Sequence, residues 1–210
     1  MLAGFLASAW ATGALYYDLP IAWLRTPLAL VYGLAMLAML FLIKPRWRAM
    51  GLVAAGFAAV LAWWLTIKPS NTRDWQPDVA QVAWAETNGD EVTLHNVRNN
   101  DYRTETDYTA RWETRTVRVS QITGLDLAIN YWGSPWMAHP IASFQFADAP
   151  PVCFSIETRK QLGQTYSAIG GLYRQFELIY IVADERDVIR VRTNYRKGED
   201  VGREVDLSIL

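Results

Sequence analysis

Three uncharged apolar runs occupy the first third of the chain, at residues 1–17, 26–43 and 49–67. A helix rises about 1.5 Å per residue, so the third run would be about 28 Å long, close to the hydrocarbon thickness of a bilayer. None of the runs has the polar face that a helix on a soluble domain would carry. We therefore predict membrane-spanning helices at 27–43 and 49–67.

The first run has two interpretations. It is either a third span over about residues 2–17 or a signal peptide, for which Ala7-Ser-Ala9 would be the cleavage site. No positively charged segment precedes the run, and two further apolar runs follow it, which favours a span.

Basic residues indicate how the helices are oriented. The short connection Lys44-Pro-Arg-Trp-Arg48 carries three positive charges, whereas the segment 18–25 carries Arg25 and the opposing Asp18. Loops rich in Lys and Arg remain in the cytoplasm. We expect the 44–48 connection to be cytoplasmic and the chain after Ile67 to lie on the opposite side of the membrane.

The remaining chain has the composition of a folded domain. We expect a membrane anchor at 1–67, a polar linker at 68–77 and a second domain at 78–210. The whole sequence has 20 Lys and Arg residues against 21 Asp and Glu residues, without the basic excess of a nucleic-acid-binding protein. A single cysteine excludes an internal disulfide, so packing must stabilise this domain.

Strand patterns predominate after the linker. Alternating or short apolar segments predict six strands, at 91–97, 111–120, 125–131, 141–146, 152–158 and 176–183. The last of these is apolar throughout and predicts a buried strand. We expect a short helix or turn at 184–196 and a loop with a short helix at 159–175. The predicted fold is α+β, with a mostly antiparallel sheet behind N-terminal transmembrane helices.

The sequence contains few candidates for catalytic or metal-binding residues. The sequence contains no GxSxG, HExxH, P-loop, GxGxxG or CxxC motif, and its two histidines lack metal-ligand spacing, so we predict no metal or cofactor. We interpret His95 as a partly exposed strand histidine and Cys153 as a small core residue with an unreactive thiol. The acidic segment Asp184-Glu-Arg-Asp187 is typical of a solvated turn.

His139 is the strongest candidate for a functional side chain. It opens a predicted strand, and a hairpin turn centred near 148–149 would place it opposite residue 158 or 159, with Glu157 and Arg159 as neighbours. A carboxylate there would orient the imidazole as a general base. A slip of one residue would turn Glu157 to the other face. From its position alone, His139 could equally be a structural strand residue.

Seven segments together resemble one bacterial family: Trp75-Gln-Pro-Asp78, His95-Asn-Val-Arg-Asn99, Asp101-Tyr-Arg-Thr-Glu105, Tyr131-Trp-Gly-Ser134, His139 with Ser143-Phe-Gln-Phe146, Ser155-Ile-Glu-Thr-Arg159 and Ala183-Asp-Glu-Arg-Asp187. They resemble the Lnb N-terminal periplasmic domain family, over about residues 70–200. The resemblance implies a fold similar to circularly permuted papain-like thiol enzymes, in the bacterial inner membrane. It also implies an activity similar to lipoprotein N-acylation, with a lipoprotein or lipid as substrate. On this pattern His139 matches the family's histidine, and Glu157 is the orienting candidate.

One part of the family pattern is missing. The family's nucleophile stands in an Asn-Cys-Thr motif, and this sequence contains none. Gly202–Leu210 replaces the expected next strand, and we interpret the chain as truncated or as ending in a frameshifted tail. We therefore expect an inactive chain of acyltransferase type. The alternative is a non-catalytic envelope protein that binds a lipid or a protein partner.

Overall fold

A computed structural model describes residues 1–132, 134–196 and, as backbone alone, 200–207. The chain divides into two compact units. The helical unit contains Met1–Thr72 and Gln164–Glu177, and the sheet unit contains Arg73–Gly163 and Leu178–Leu210. The chain therefore leaves the helical unit, forms most of the sheet, returns to the helical unit and then completes the sheet.

Three long helices form the helical unit: α1 at Leu2–Asp18, α2 at Ala22–Leu42 and α3 at Arg46–Leu65. By length and composition, α2 and α3 are apolar and long enough to cross a membrane. Both begin a few residues before the predicted spans, since the apolar patterns omit the polar first turns. The sequence 1–17 is helical as well, and whether it is a span or a signal peptide stays a prediction.

Small residues hold these helices together. Ala11 and Ala14 of α1 pack with Ala29 of α2 and Val60 of α3 in one buried cluster. Short side chains let helix backbones approach closely, which favours packing between apolar helices. The unit also contains α4, a single turn at Ala168–Gly171 in which the Gly170 amide donates a hydrogen bond to the Ser167 hydroxyl. This turn is the short helix predicted within 159–175.

The described residues of the sheet unit form ten strands: β1 Trp84–Asn88, β2 Glu91–Arg98, β3 Asp101–Tyr102, β4 Tyr108–Thr109, β5 Trp112–Arg118, β6 Ile122–Tyr131, β7 Ala138–Phe146, β8 Val152–Arg159, β9 Glu177–Ala183 and β10 Asp200–Leu207. The main sheet has the order β1-β2-β9-β8-β7-β6-β10, with β5 also paired to β2. β2 and β9 are parallel where Arg98 meets Ala183. The α+β class is confirmed, and the sheet is mixed.

The predicted burial of the strand at 176–183 is wrong in part. Ile179 and Ile181 of β9 are buried, whereas Leu178 and Tyr180 are 76% and 67% exposed. Successive side chains of a strand point to opposite faces, so alternate residues reach the core in the first part of β9. At its end both faces are covered, and Ile181, Val182 and Ala183 are all buried. An apolar run alone does not show whether both faces are covered.

Each face of the main sheet has its own core. On one face, Ile141 and Cys153 pack with Val188 of α5, a helical turn at Glu185–Val188. On the other face, Val97, Val117 and Val152 belong to a second cluster. A π-helical turn, Val191–Tyr195, follows α5. The first face therefore carries α5 and this turn, and the second carries neither.

The interpretation of Asp184–Asp187 as a solvated turn is wrong. Asp187 is fully buried and accepts hydrogen bonds from Arg98 Nε at 3.1 Å and Nη2 at 2.9 Å, and from the Asn100 amide at 2.7 Å. Asp184 pairs with Arg115. Each carboxylate finds a basic partner that is distant in sequence, which a charge pattern within one segment does not indicate.

Breaking the Arg98–Asp187 pair should destabilise the sheet unit strongly. Arg98→Met leaves a buried carboxylate without its cation, and Asp187→Asn leaves the guanidinium, so each should cost about 3–5 kcal/mol of unfolding free energy. The double variant should be no worse than either single one, since no uncompensated charge remains. Denaturant unfolding of the full chain in detergent measures this.

Arg103→Ala is the control, because Arg103 makes an ion pair with Asp107 in which both side chains are more than half exposed. Its unfolding midpoint should remain at the wild-type value. Additive losses in the double variant would contradict the role of the buried pair.

Candidate functional site

The candidate site lies on the face of the sheet that carries α5. His139 comes from β7, Ser155 and Glu157 come from β8, and Arg192 comes from the π-helical turn. Ile141 pairs with Ser155 across the antiparallel strands, and extending this register by two residues puts His139 opposite Glu157. The two side chains do approach each other, with His139 Nε2 3.9 Å from Glu157 Oε1. The two-residue period of a strand then gives these side chains a common face.

The observed register differs by one or two residues from the predicted one. The pairs Ser143–Cys153 and Phe144–Val152 centre the hairpin on Asp148. The partner of His139 is therefore Glu157 rather than residue 158 or 159. Arg159 lies elsewhere: its guanidinium donates to the carbonyls of Val79 and Ala80.

A serine joins the histidine to the carboxylate. Ser155 Oγ lies 2.7 Å from His139 Nε2 and donates to Glu157 Oε1 at 2.8 Å. His139 Nε2 and Glu157 Oε1 are themselves 3.9 Å apart, and their side chains are 11% and 13% exposed. The indole of Trp132 lies near the imidazole, with ring centroids 5.9 Å apart. The three polar groups thus form a chain from ring nitrogen to hydroxyl to carboxylate.

This chain of hydrogen bonds selects one tautomer of His139. An ionised carboxylate only accepts, so the single proton of the Ser155 hydroxyl points to Glu157. The hydroxyl oxygen then accepts from His139, which requires a proton on Nε2. In the neutral ring the basic lone pair is consequently on Nδ1.

Arg192 holds the carboxylate in place. Its Nη2 donates to Glu157 Oε1 at 2.8 Å, and its Nη1 donates to the Val188 carbonyl at 2.7 Å. Nη2 also lies 3.4 Å from His139 Nε2. Both nitrogens are donors in the tautomer described above, so this approach is a contact without a hydrogen bond. Burial favours a higher pKa for Glu157, but the charges of Arg192 and Arg98 and the nearby imidazole outweigh it and hold that pKa well below its ordinary range. Glu157 is therefore a permanent negative charge beside His139 at neutral pH.

The other candidates from the sequence are outside this cluster. His95 stacks on Trp84, with ring centroids 3.9 Å apart, and its Nε2 lies 3.7 Å from the exposed Glu86 carboxylate. Cys153 has no exposed surface, and burial raises the pKa of its thiol to about 12. These surroundings fit a structural histidine and an inert thiol.

Sequence reasoning missed Ser155 and Arg192. Ser155 had a usable signal, because it stands two residues before Glu157 and so shares its face on a strand. Arg192 had none, because it lies in a segment predicted as a charged helix or turn, and only the packing of α5 brings it to β8. Among the described residues, no group of three or more His, Cys, Asp and Glu side chains is placed to hold a metal ion.

An apolar groove of about 160 Å³ lies on the opposite face of the sheet, lined by Val92, Leu94, Val117, Val119, Ile122, Phe144, Phe146, Val152 and Phe154. Its volume is close to that of a cavity of about 150 Å³ that holds one benzene molecule. The groove would accept only a short part of an acyl chain. Phe144 and Phe146 alternate with the site-facing residues of β7, so the groove and His139 are on opposite faces.

The depressed pKa of Glu157 predicts a pH-dependent stability. A carboxylate whose folded pKa lies below its unfolded value of about 4.3 stabilises the fold above that pH and loses this contribution as the pH falls. The melting midpoint of the full chain should fall between about pH 5 and about pH 3, and Glu157→Gln should flatten that fall.

The slope is the informative quantity, since Glu157→Gln also weakens the Arg192 contact and lowers the midpoint at every pH. Glu86→Gln, at an exposed glutamate of the same unit, is the matched control and should keep the wild-type slope. Parallel curves for wild type and Glu157→Gln would contradict the prediction.

Comparison with known proteins gives one match. Residues 108–208 match the family model described as the Lnb N-terminal periplasmic domain, which confirms the resemblance. The segments that begin at Trp75, His95 and Asp101 lie outside the matched range. Residues 202–208, which were expected to depart from the family, lie within it. No curated protein and no solved structure matches the chain.

The match covers β4 to β10 as well as His139, Ser155, Glu157 and Arg192. With two helices that are able to cross a membrane by length and composition, it indicates a membrane protein with a periplasmic domain. Residues 108–208, a little under half of the chain, are thus similar to the Lnb N-terminal periplasmic domain family.

Proposed function

We propose that the sheet unit is the base-supplying part of a thiol-dependent acyltransferase site, with His139 as the general base. The observation that carries this proposal is the hydrogen-bonded chain from His139 Nε2 through Ser155 to Glu157. Such a chain fixes both the orientation and the tautomer of an imidazole, which general-base catalysis requires.

The proposed step begins with a thiol placed beside Nδ1 of His139. Nδ1 takes the thiol proton, the thiolate attacks the acyl carbonyl carbon, and the leaving alkoxide takes the proton back from the ring. While His139 is an imidazolium, the Glu157 carboxylate 3.9 Å away stabilises its charge. Ser155, Glu157 and Arg192 are positioning residues in this scheme, and His139 alone touches the reacting atoms.

The thiol must come from outside the described site. Cys153 is buried and weakly acidic, and the sequence contains no Asn-Cys-Thr motif. We propose that the chain is inactive in acyl transfer unless a thiol is supplied. A permuted papain-like arrangement, in which the histidine strand precedes the nucleophile, belongs to the same proposal.

The setting that we propose follows from the family and the helices. The domain at 78–210 would lie in the periplasm behind a linker at 68–77 and an anchor at 1–67 in the bacterial inner membrane, with the 44–48 connection in the cytoplasm. The donor or acceptor would be a lipid or a lipoprotein at that membrane. This setting is consistent with two membrane-competent helices and with a periplasmic domain family.

A supplied thiol tests the proposed base. The full chain in detergent should accelerate the release of nitrophenol from a short-chain nitrophenyl ester by added N-acetylcysteamine, by about tenfold or more, since a general base contributes about 10²–10⁴ in a complete site. His139→Gln should abolish the acceleration.

His95→Gln removes the other histidine and should leave the acceleration unchanged. Ser155→Ala should reduce the rate and change its pH profile, because the ring then loses its fixed tautomer. No acceleration by the wild-type chain, or equal rates for wild type and His139→Gln, would overturn the proposal.

The tautomer itself can be observed. In ¹⁵N-histidine-labelled protein at neutral to alkaline pH, nuclear magnetic resonance should show His139 protonated at Nε2, and Ser155→Ala should produce a mixture of tautomers. His95→Gln assigns the signals, because only two histidines exist. A ring protonated at Nδ1 in the wild type would contradict the proposed base.

Binding without catalysis is the second candidate, and the apolar groove is the observation in its favour. In that case Phe144→Asp, which places a charge in the groove, would abolish lipid binding, and His139→Gln would have no effect on it. The thiol-dependent reaction distinguishes the two, because only the acyltransferase proposal predicts a dependence on His139.

A further inference from the structure

An uncharged segment returns from the sheet unit to the helical unit. Residues 164–173, Gln-Thr-Tyr-Ser-Ala-Ile-Gly-Gly-Leu-Tyr, carry no formal charge, and Arg174 and Glu177 follow them. The whole segment 164–177 packs with the three long helices as part of one compact unit. We refer to it as the return segment.

Tyr173 attaches the return segment to α1. Its ring stacks on Tyr17, with centroids 4.9 Å apart, and lies 6.2 Å from Trp10. Between these two aromatic residues, Gly13 provides the space: a Cβ at this position would lie 2.5 Å from Tyr173 Cζ. Trp10, Gly13 and Tyr17 are three and four residues apart and so form one stripe along the helix.

Arg174 attaches the same segment to α3. Its guanidinium lies 4.0 Å from the ring centre of Trp64 and donates to the Ile67 carbonyl. The Arg174 amide donates to Asp18 at 3.2 Å, and Trp64 Nε1 donates to the same carboxylate at 2.7 Å. The ends of α1 and α3 and the return segment therefore share one hydrogen-bonded group.

These contacts give the depth of the return segment. α3 ends at Leu65, so Trp64 and Asp18 mark one end of a helix that is able to span a membrane. Tyr173 lies beside Gly13, five residues inside the end of α1, which corresponds to about 7 Å along the axis. Interfacial elements insert about 5–10 Å into the boundary between headgroups and acyl chains.

Three apolar side chains of the return segment are largely exposed, although the Tyr166 ring stacks on Phe176. Tyr166, Ile169 and Leu172 are 60%, 58% and 74% exposed. Ile169 lies in the helical turn α4 and Leu172 is its C-cap residue, three positions apart along the turn, while Tyr166 lies just before the extended N-cap residue Ser167. The three exposed residues precede Tyr173 and Arg174, which contact the ends of α1 and α3.

We propose that the return segment is a membrane-interface element, with Tyr166, Ile169 and Leu172 inserted among the lipid headgroups and first acyl carbons where α1 and α3 end. In this proposal the bilayer covers the three exposed side chains. The arrangement of groups suits an interface: aromatic rings at the helix ends, and an arginine whose stem lies along an indole while its charge reaches a carboxylate and a carbonyl. The return segment thereby gives the sheet unit a second attachment to the membrane, beside the chain that follows α3.

Fluorescent labels test the insertion. In a Cys153→Ala background, Leu172→Cys and Ile169→Cys are labelled with an environment-sensitive nitrobenzoxadiazole dye, and the full chain is reconstituted in phosphatidylcholine–phosphatidylglycerol vesicles. Nitroxide carried at carbon 5 of the lipid chains should quench most of the fluorescence, and aqueous iodide should quench little. Glu86→Cys, on an exposed strand of the sheet unit, is the matched control and should show the reverse.

A second pair of variants tests the attachment. Gly13→Leu should expel Tyr173, so that the label at position 172 loses its quenching by the lipid nitroxide and becomes accessible to iodide. Gly51→Leu is the matched control, because nothing lies within 4 Å of a Cβ at that glycine of α3. It should leave both quenching values unchanged.

The outcomes separate the possible covers of the cluster. Quenching by the lipid nitroxide that disappears in Gly13→Leu supports the proposal. Quenching at positions 169 and 172 by iodide, at the level of the Glu86→Cys control, would show a solvent-exposed loop and overturn it. Protection from both quenchers would show a protein partner in place of lipid and overturn it as well. None of these results depends on the acyltransferase proposal.

Discussion

The buried ion pair between Arg98 and Asp187 is the interaction on which the sheet unit depends. Both side chains are almost fully removed from water, at 3% and 0% exposure. Two buried charges are tolerated only when their hydrogen-bonding groups are satisfied. Here the guanidinium also donates to the Asp78 carbonyl, and the carboxylate also accepts from the Asn100 amide. The pair thus joins the end of β2, the segment before β1 and α5 at one point.

The ion pair between Arg98 and Asp187 also positions the candidate site. α5 is fixed by Asp187, and the next turn of the chain presents Arg192 to Glu157 on β8. The positive charge of Arg98 acts on Glu157 as well, so two arginines keep this carboxylate ionised despite its burial. The ionised Glu157 carboxylate accepts the proton of the Ser155 hydroxyl, so the hydroxyl oxygen can only accept a hydrogen bond from His139. His139 must therefore carry its proton on Nε2. An electrostatic arrangement thus determines a tautomer.

Local sequence patterns predicted the helices, most strands and the hairpin that carries His139. Apolar run lengths predicted the helices, and strand alternation predicted the sheet of the second unit. The hairpin between β7 and β8 was placed within one or two residues, close enough to pair His139 with Glu157. The prediction failed for Asp184–Asp187 and for β9. In both cases the burial of the segment depends on which other elements pack against it, and a local sequence pattern does not show those elements.

Composition and periodicity along the chain, which are local properties, were enough to locate the segments apolar enough to enter a membrane, the class of the following domain and the candidate imidazole. Three features needed the folded chain. Ser155 lies between His139 and Glu157, Arg192 completes the group, and Tyr173 packs on Gly13 of the first helix. The reason is physical: a hydrogen bond or an ion pair needs two groups within about 3–4 Å, and residues more than 150 positions apart in the chain, such as Gly13 and Tyr173, reach that distance only when the whole fold has formed.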